Sequence, residues 1–387
     1  MLRLVSSLGI AQIISWGSLF YAIGVLGAAM RRDVDVSEFF LFGAFTAGLL
    51  VSGSLAAVAG RMIDARGGRL VLSIGSALSV LAMLLLAVAQ DAFVLAVGWL
   101  VAGAAMAFCL YDPAFATLGQ HTGSRYRRAI TALTLFGGFA STVFWPLSLL
   151  LQEAWGWRAT FAIYAGLHLF VCLPIHRFLV PAHLPLPHEA TIEKVAGDGE
   201  PRDSRLFWIT VSFALATFVF AVIAVHLISL LTTAGLTAAQ AVSVSILVGP
   251  MQVAGRVVEL GFAHRVRAAS VGIAAFALML VAIVALIAVQ DFGLAAIVFV
   301  VAYGVGNGVL TIVKGTAPAE LFGRARLGEL LGRISQAGLY ARAVAPAAFS
   351  GLLTLGLTRN LALGALAALA LAALASYGWA LRHANAR

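Results

Sequence analysis

The chain is a succession of long apolar runs separated by short gaps that hold most of its charges, and this alternation constrains the fold more than any motif. The runs lie near 4–30, 39–59, 70–89, 92–118, 129–152 and 158–180, then near 206–232, 238–260, 268–290, 292–314, 328–356 and 360–381. A helix rises about 1.5 Å per residue, so about 20 apolar residues cross a hydrocarbon core of about 30 Å. Residues are 62% hydrophobic and only 11% charged. Soluble domains run at about 45–50% apolar and 25% charged, and a fold in water could not hide this excess. The sequence predicts an all-α polytopic membrane protein whose twelve transmembrane helices sit in a lipid bilayer.

The charged gaps set the orientation. With the N-terminus inside, cytoplasmic gaps hold Arg61, Arg66, Arg69; Arg125, Arg127, Arg128; Arg256, Arg265, Arg267; and Lys314, Arg324, Arg326, Arg333. The opposite gaps hold Arg31, Arg32, Arg158 and Arg359. The bias alternates at every gap, which supports the count of twelve and predicts both termini in the cytoplasm, in a plasma or inner membrane. The net charge of +9 is then topological. Nucleic acid is not expected as a partner, because phosphate-binding cations cluster on one soluble face. Cys109 and Cys172 lie in separate apolar runs without partners at metal-ligand spacing, and read as buried small hydrophobes. No metal or cofactor is expected. The first run is too long for a signal-peptide core.

One gap differs. Residues 181–204, PAHLPLPHEATIEKVAGDGEPRDS, carry four prolines and mixed charge, the composition of a flexible linker. It divides the chain into a six-helix bundle over 1–180 and another over 205–387. The halves echo each other. GRMIDARGGR at 60–69 and GRVVELGFAHR at 255–265 align at an offset that places Gly60 on Gly255, Arg61 on Arg256 and Asp64 on Glu259. Paired bundles suit secondary transporters, whose substrate site lies between the repeats near mid-membrane.

On these residues the chain resembles the major facilitator superfamily. Gly60, Asp64, Gly67 and Arg69 match that family's G-x-x-x-D-R-x-G-R-R motif. Ala65 and Gly68 depart from it, and Arg66 puts a charge one place late. GWRATF at 156–161 looks like the family's entry into the sixth helix, and APAELFGRAR at 317–326 is similar to its gap between helices 10 and 11. The resemblance implies that Asp64 helps close the inward side by meeting a helix terminus and nearby arginines. A carboxylate is favoured at the positive end of a helix. The same role passes to Glu259 with Arg256. Topological charge is the other reading of these residues.

Polar residues inside the runs mark a path. They are Gln12, Ser15, Trp16 and Tyr21 in the first; Tyr111, Asp112 and Pro113 in the fourth; and Thr142, Trp145 and Pro146 in the fifth. The second half adds His226, Gln252, Tyr303, Asn307, Lys314, Gln336, Tyr340 and Arg342. Runs 3, 9 and 12 lack ionisable interior residues and read as lipid-facing. The resemblance places the cavity chiefly among helices 1, 4, 7 and 10. Ionisable groups in a bilayer are costly and face a cavity or a partner. Asp112, beside Pro113, is expected to carry a proton or bind substrate, or to form a structural pair. His226 is expected to titrate or to hold a backbone group. His168 reads as structural, and Lys314 as snorkelling to water. Trp16, Tyr21, Trp145 and Tyr340 line the path or pack. The glycines around Asn307 allow close helix approach.

Arg342, in GLYARAVAPAAFSG at 338–351, matches a carboxylate bidentately. The function expected is secondary transport of a small organic anion with a proton, with a weak resemblance to the monocarboxylate-type branch, by a monomer. The alternative is proton-linked export of a drug or hydrophobic metabolite, with Arg342 paired to Asp112. A pump is disfavoured by the lack of any G-x-x-x-x-G-K-[ST]. An intramembrane enzyme is disfavoured by the lack of an acidic partner for Asp112.

Overall fold

The computed structural model describes residues 1–182, 204–262, 265–290 and 293–382. Most of the expected linker therefore lies outside the described residues. The described chain is helical: α1 (Leu2–Val34), α2 (Glu38–Arg66), α3 (Gly68–Val88), α4 (Ala92–His121), α5 (126–155), α6 (157–179), α7 (Ser204–Thr233), α8 (Ala238–Phe262), α9 (Ala268–Ala288), α10 (Leu294–Phe322), α11 (Leu327–Thr354) and α12 (Arg359–Arg382). Ten helical runs among the described residues are long and apolar enough to span a bilayer. One of these, Gly123–Leu179, breaks at Gly156 (φ 79°) into α5 and α6. The small and polar residues of α11 keep it off that count. With both included, the helices follow the twelve expected runs closely.

Local chemistry explains the boundaries. Ser37 and Asp91 cap α2 and α4 by accepting the amide protons of Phe40 and Val94 at 3.0 and 2.8 Å. Thr237 and Gln240 form a reciprocal capping box at the start of α8. Gly67 (φ 83°) makes the tight turn between α2 and α3, a backbone conformation that favours glycine. Within their own units, exposed apolar side chains such as Leu81 and Leu84 on α3, Val281 and Val284 on α9, and Leu371 on α12 are what lipid-facing helices require.

Two compact units emerge. The first is Met1–Leu186 with Gly323–Gln336; the second is Pro187–Phe322 with Ala337–Arg387. The start of α11 therefore clusters with α1–α6.

In the first unit, Arg158 at the head of α6 donates to the Ala89 carbonyl ending α3 and to Asp33 in the last turn of α1. Trp157 donates to the same Asp33 carboxylate at 2.8 Å. In the second unit Arg359, at the head of α12, donates to the Leu230 and Leu286 carbonyls closing α7 and α9. Each bundle thus uses an arginine on its last helix to tie down carbonyls at the ends of neighbouring helices. The α6 face turned inward carries His168 and His176, both fully buried. Their rings pair with the hydroxyls of Ser18 on α1 and Ser76 on α3, at 2.8 and 2.7 Å. The structural role expected for His168 has this geometry.

Candidate functional site

The α4 helix is broken where the sequence places its carboxylate. Leu110 is extended (φ −78°, ψ −158°), and a new helical segment starts at Tyr111. Pro113 falls in the first turn of that segment, where its missing N–H costs little. The break leaves the Cys109 carbonyl without an intrahelical donor, and the Gln12 side chain of α1 takes it at 2.7 Å. Gln12 is fully buried, so it serves the backbone of α4. Asp112 lies in the first turn after the break, where the exposed amides favour an anion. Its Oδ2 accepts the hydroxyl proton of Ser335 on α11 at 2.5 Å.

Four of the expected path aromatics come together in this unit. Trp16 packs on Tyr111 at 5.1 Å and on Tyr21 at 6.3 Å, and Tyr21 meets Trp145 edge-on at 6.1 Å. The backbone makes this possible in two ways. Gly17–Tyr21 is a π turn, whose i→i+5 bond brings residues five apart to one side of the helix. Gly137 leaves room for the Tyr111 hydroxyl, which an added Cβ would meet at 2.1 Å. Trp145 keeps 54% of its surface exposed, so this aromatic wall is open on one side.

In the second unit, Arg342 lies on α11, and Tyr303, with its buried hydroxyl, lies on α10. That hydroxyl donates to the Phe220 carbonyl of α7 at 3.2 Å. His226 of α7 pairs its Nε2 with the Pro346 carbonyl at 3.2 Å, and its ring lies 5.2 Å from that of Phe349. The acceptor is a carbonyl, so Nε2 carries the proton. Gly304 and Gly308 beside Asn307 press α10 against α8: an added Cβ would fall 2.4 Å from Met251 and 2.3 Å from the Gln252 carbonyl. Tyr340 is 38% exposed.

At one end of the first unit, Asp64 of α2 meets the start of α11. Its Oδ1 and Oδ2 accept the amide protons of Gly328 and Glu329 at 2.9 and 2.8 Å. These are among the first four amides of a helix, which have no intrahelical acceptor. Gly60 allows the approach, since an added Cβ would lie 2.0 Å from the Gly328 carbonyl oxygen. Glu329 is held by Arg326 and Arg333, each at 2.7 Å. Arg69 sits apart from this cluster and donates to the Val180 carbonyl ending α6 at 2.7 Å. Arg66 is exposed. In the second unit Arg256 and Glu259 are both buried near the end of α8.

Sequence reading missed Ser335, Glu329 and the paired histidine His176. Among the described residues, no group of three or more His, Cys, Asp or Glu is placed to hold a metal ion. Cys109 and Cys172 are free and buried.

The family model described as Major Facilitator Superfamily matches residues 8–346. A sequence search of curated proteins finds no match. Among solved structures, the human organic anion transporter MFSD10 (TETRAN) aligns with a TM-score of 0.73 at 15% identity, over 97% of this chain and 99% of that one. The E. coli fucose:proton symporter FucP aligns with a TM-score of 0.73 at 14% identity, over 97% of this chain and 98% of that one. FucP in its outward conformation gives 0.74 at 13% identity, with the same shares covered. At these identities the structural likeness speaks to fold alone, while the family model spans most of the chain. The protein is a multi-pass membrane transporter belonging to the Major Facilitator Superfamily.

Proposed function

We propose that this chain is a secondary active transporter that moves a small organic anion together with a proton by alternating access. The observation that carries the reading is Arg342. A guanidinium in a spanning helix is costly unless it meets a counter-charge, and its planar fork suits a carboxylate. Asp112 is the proton carrier in this reading and His226 a second candidate. Tyr111, Asn307, Trp16, Tyr21, Trp145 and Tyr340 shape the solute path, with Gln12 behind it. Asp64 with Gly60, Arg66, Gly67 and Arg69 closes the inward side, echoed by Arg256 and Glu259. The two six-helix bundles run from 1 to 180 and from 205 to 387, joined by a cytoplasmic linker. Both termini face the cytoplasm, and the protein works as a monomer in the cell membrane. One fold neighbour is an organic anion transporter and another a fucose:proton symporter, which supports this class of cargo and coupling.

A second reading is proton-linked export of a hydrophobic compound. The aromatic wall of Trp16, Tyr21, Tyr111 and Trp145 favours it, because stacked rings accept flat apolar solutes without demanding a charge.

Purified protein in liposomes with a trapped pH dye separates the two. Small carboxylates and hydrophobic cationic drugs are offered in turn under an imposed pH gradient. Saturable carboxylate uptake with protons moving in the same direction is expected. Drug flux against an opposite proton flux, with no carboxylate uptake, overturns the first reading in favour of the second.

A further inference from the structure

The beginning of α11 carries a stripe that neither the motif nor the composition singles out. Gly328, Gly332 and Ser335 fall at i, i+4 and i+7, on one face of the helix. Each meets α2 or α4 in the first unit. Gly328 packs on Gly60 and is capped by Asp64. Gly332 leaves no room for a Cβ, which would lie 2.4 Å from the Ala56 carbonyl oxygen. Ser335, 4% exposed, gives its hydroxyl proton to Asp112. The two carboxylate contacts are about 10 Å apart along the axis. The Asp64 contact grips the backbone at the helix end; the Asp112 contact grips one side chain about two turns deeper.

The two grips differ in what releases them. Backbone amides donate to Asp64 as long as α11 stays helical. An ionised carboxylate makes the Ser335 bond about twice as strong as a neutral acceptor would. A proton on Asp112 removes that charge and leaves a neutral hydrogen bond of roughly half the strength. This part of α4 packs on α1, α2, α3 and α5, whose titratable and charged side chains include Tyr21, Asp64, Arg69, Tyr126 and Arg127, and it meets α11, which also carries Glu329 and Arg333, through Ser335. Tyr126 is buried at the head of α5.

We propose that Ser335 is the positioning residue that ties the charge on Asp112 to the docking of α11, so that neutralising Asp112 loosens residues 327–336 from α2 and α4. The proposal rests on Asp112 being the coupling carboxylate and adds the partner through which its charge acts. Proton arrival at Asp112 then does mechanical work on a helix whose remainder carries Arg342.

Hydrogen exchange of the full-length protein, followed over 327–336, tests this without any substrate, so its outcome is independent of the transport reading. Ser335→Ala should speed exchange of this segment about tenfold, the loss of one hydrogen bond to a charged group, and Asp112→Asn, which keeps a neutral acceptor, by a smaller factor. The double variant should be no faster than Ser335→Ala alone, because both changes act on one interaction. Ser335→Thr, which keeps the hydroxyl, should stay near the parent rate. Exchange over α9 and α12 should be unchanged in all variants, which reports an intact fold. Wild-type exchange over 327–336 in Ser335→Ala, or multiplied effects in the double variant, overturns the proposal.

Discussion

The carboxylate of Asp64 accepts the amide proton of Gly328 at 2.9 Å, joining positions 264 residues apart. A second bond to the next amide makes the contact bidentate. Asp64 thus acts as the N-cap of a helix it does not belong to, and adds its charge to the favourable end of that helix's dipole. The aspartate of the family motif therefore has a concrete partner in this chain, and Gly60, one turn before it, is what lets the backbones approach.

Replacing Asp64 with Ala should fray the start of α11. Lost caps cost about 1–2 kcal/mol, or about tenfold in local opening. The neighbouring turn contains Arg324 and Arg326, so the check is trypsin cleavage at that turn. Cleavage should rise about tenfold over the parent. An unchanged rate would show that the cap does not hold the helix.

Gly60→Ala should destabilise the protein by about 1–3 kcal/mol, as overpacking of a tight contact does. Gly166 is the matched control, because nothing lies within 4 Å of a Cβ added there. Gly166→Ala should be neutral or stabilising by up to about 1 kcal/mol. Thermal unfolding of both variants in one detergent measures the contrast.

The buried histidines of α6 make a different prediction. His168→Leu should leave the Ser18 hydroxyl without its ring partner and destabilise by about 1–3 kcal/mol. Ser18 keeps a bond to the Ile14 carbonyl, which holds the effect toward the lower end. The pH dependence of transport should not move, since His168 stands outside the proposed solute path. A shifted pH profile with unchanged stability would reassign this histidine to coupling.

The twelve runs were legible because a bilayer imposes one dominant pattern: apolar length between charged gaps. The motif aspartate was legible through its local sequence. The neighbourhood of Asp112 was only half so. The carboxylate and proline announce a helix irregularity, but the extended residue is Leu110, and its stray carbonyl is served by Gln12 from α1, which no local pattern reveals. Gln12 consequently read as a path residue from sequence and is buried in the structure. The π turn at Gly17–Tyr21 has no periodic signature, yet it lets Trp16 and Tyr21 share a side. Ser335 was invisible because a serine in a helix is ordinary until its partner, 223 residues away, is known. Tertiary contacts of that span lie beyond any reading of periodicity.

Arg342 offers the most direct test of the account. Uptake of a carboxylate panel into proteoliposomes should fall by at least about tenfold in Arg342→Gln, the loss of a charge-assisted pair. Arg342→Lys should retain part of it, because an ammonium keeps the charge without the bidentate fork. Carboxylate uptake at the parent rate by Arg342→Gln would contradict the assignment of an anionic cargo.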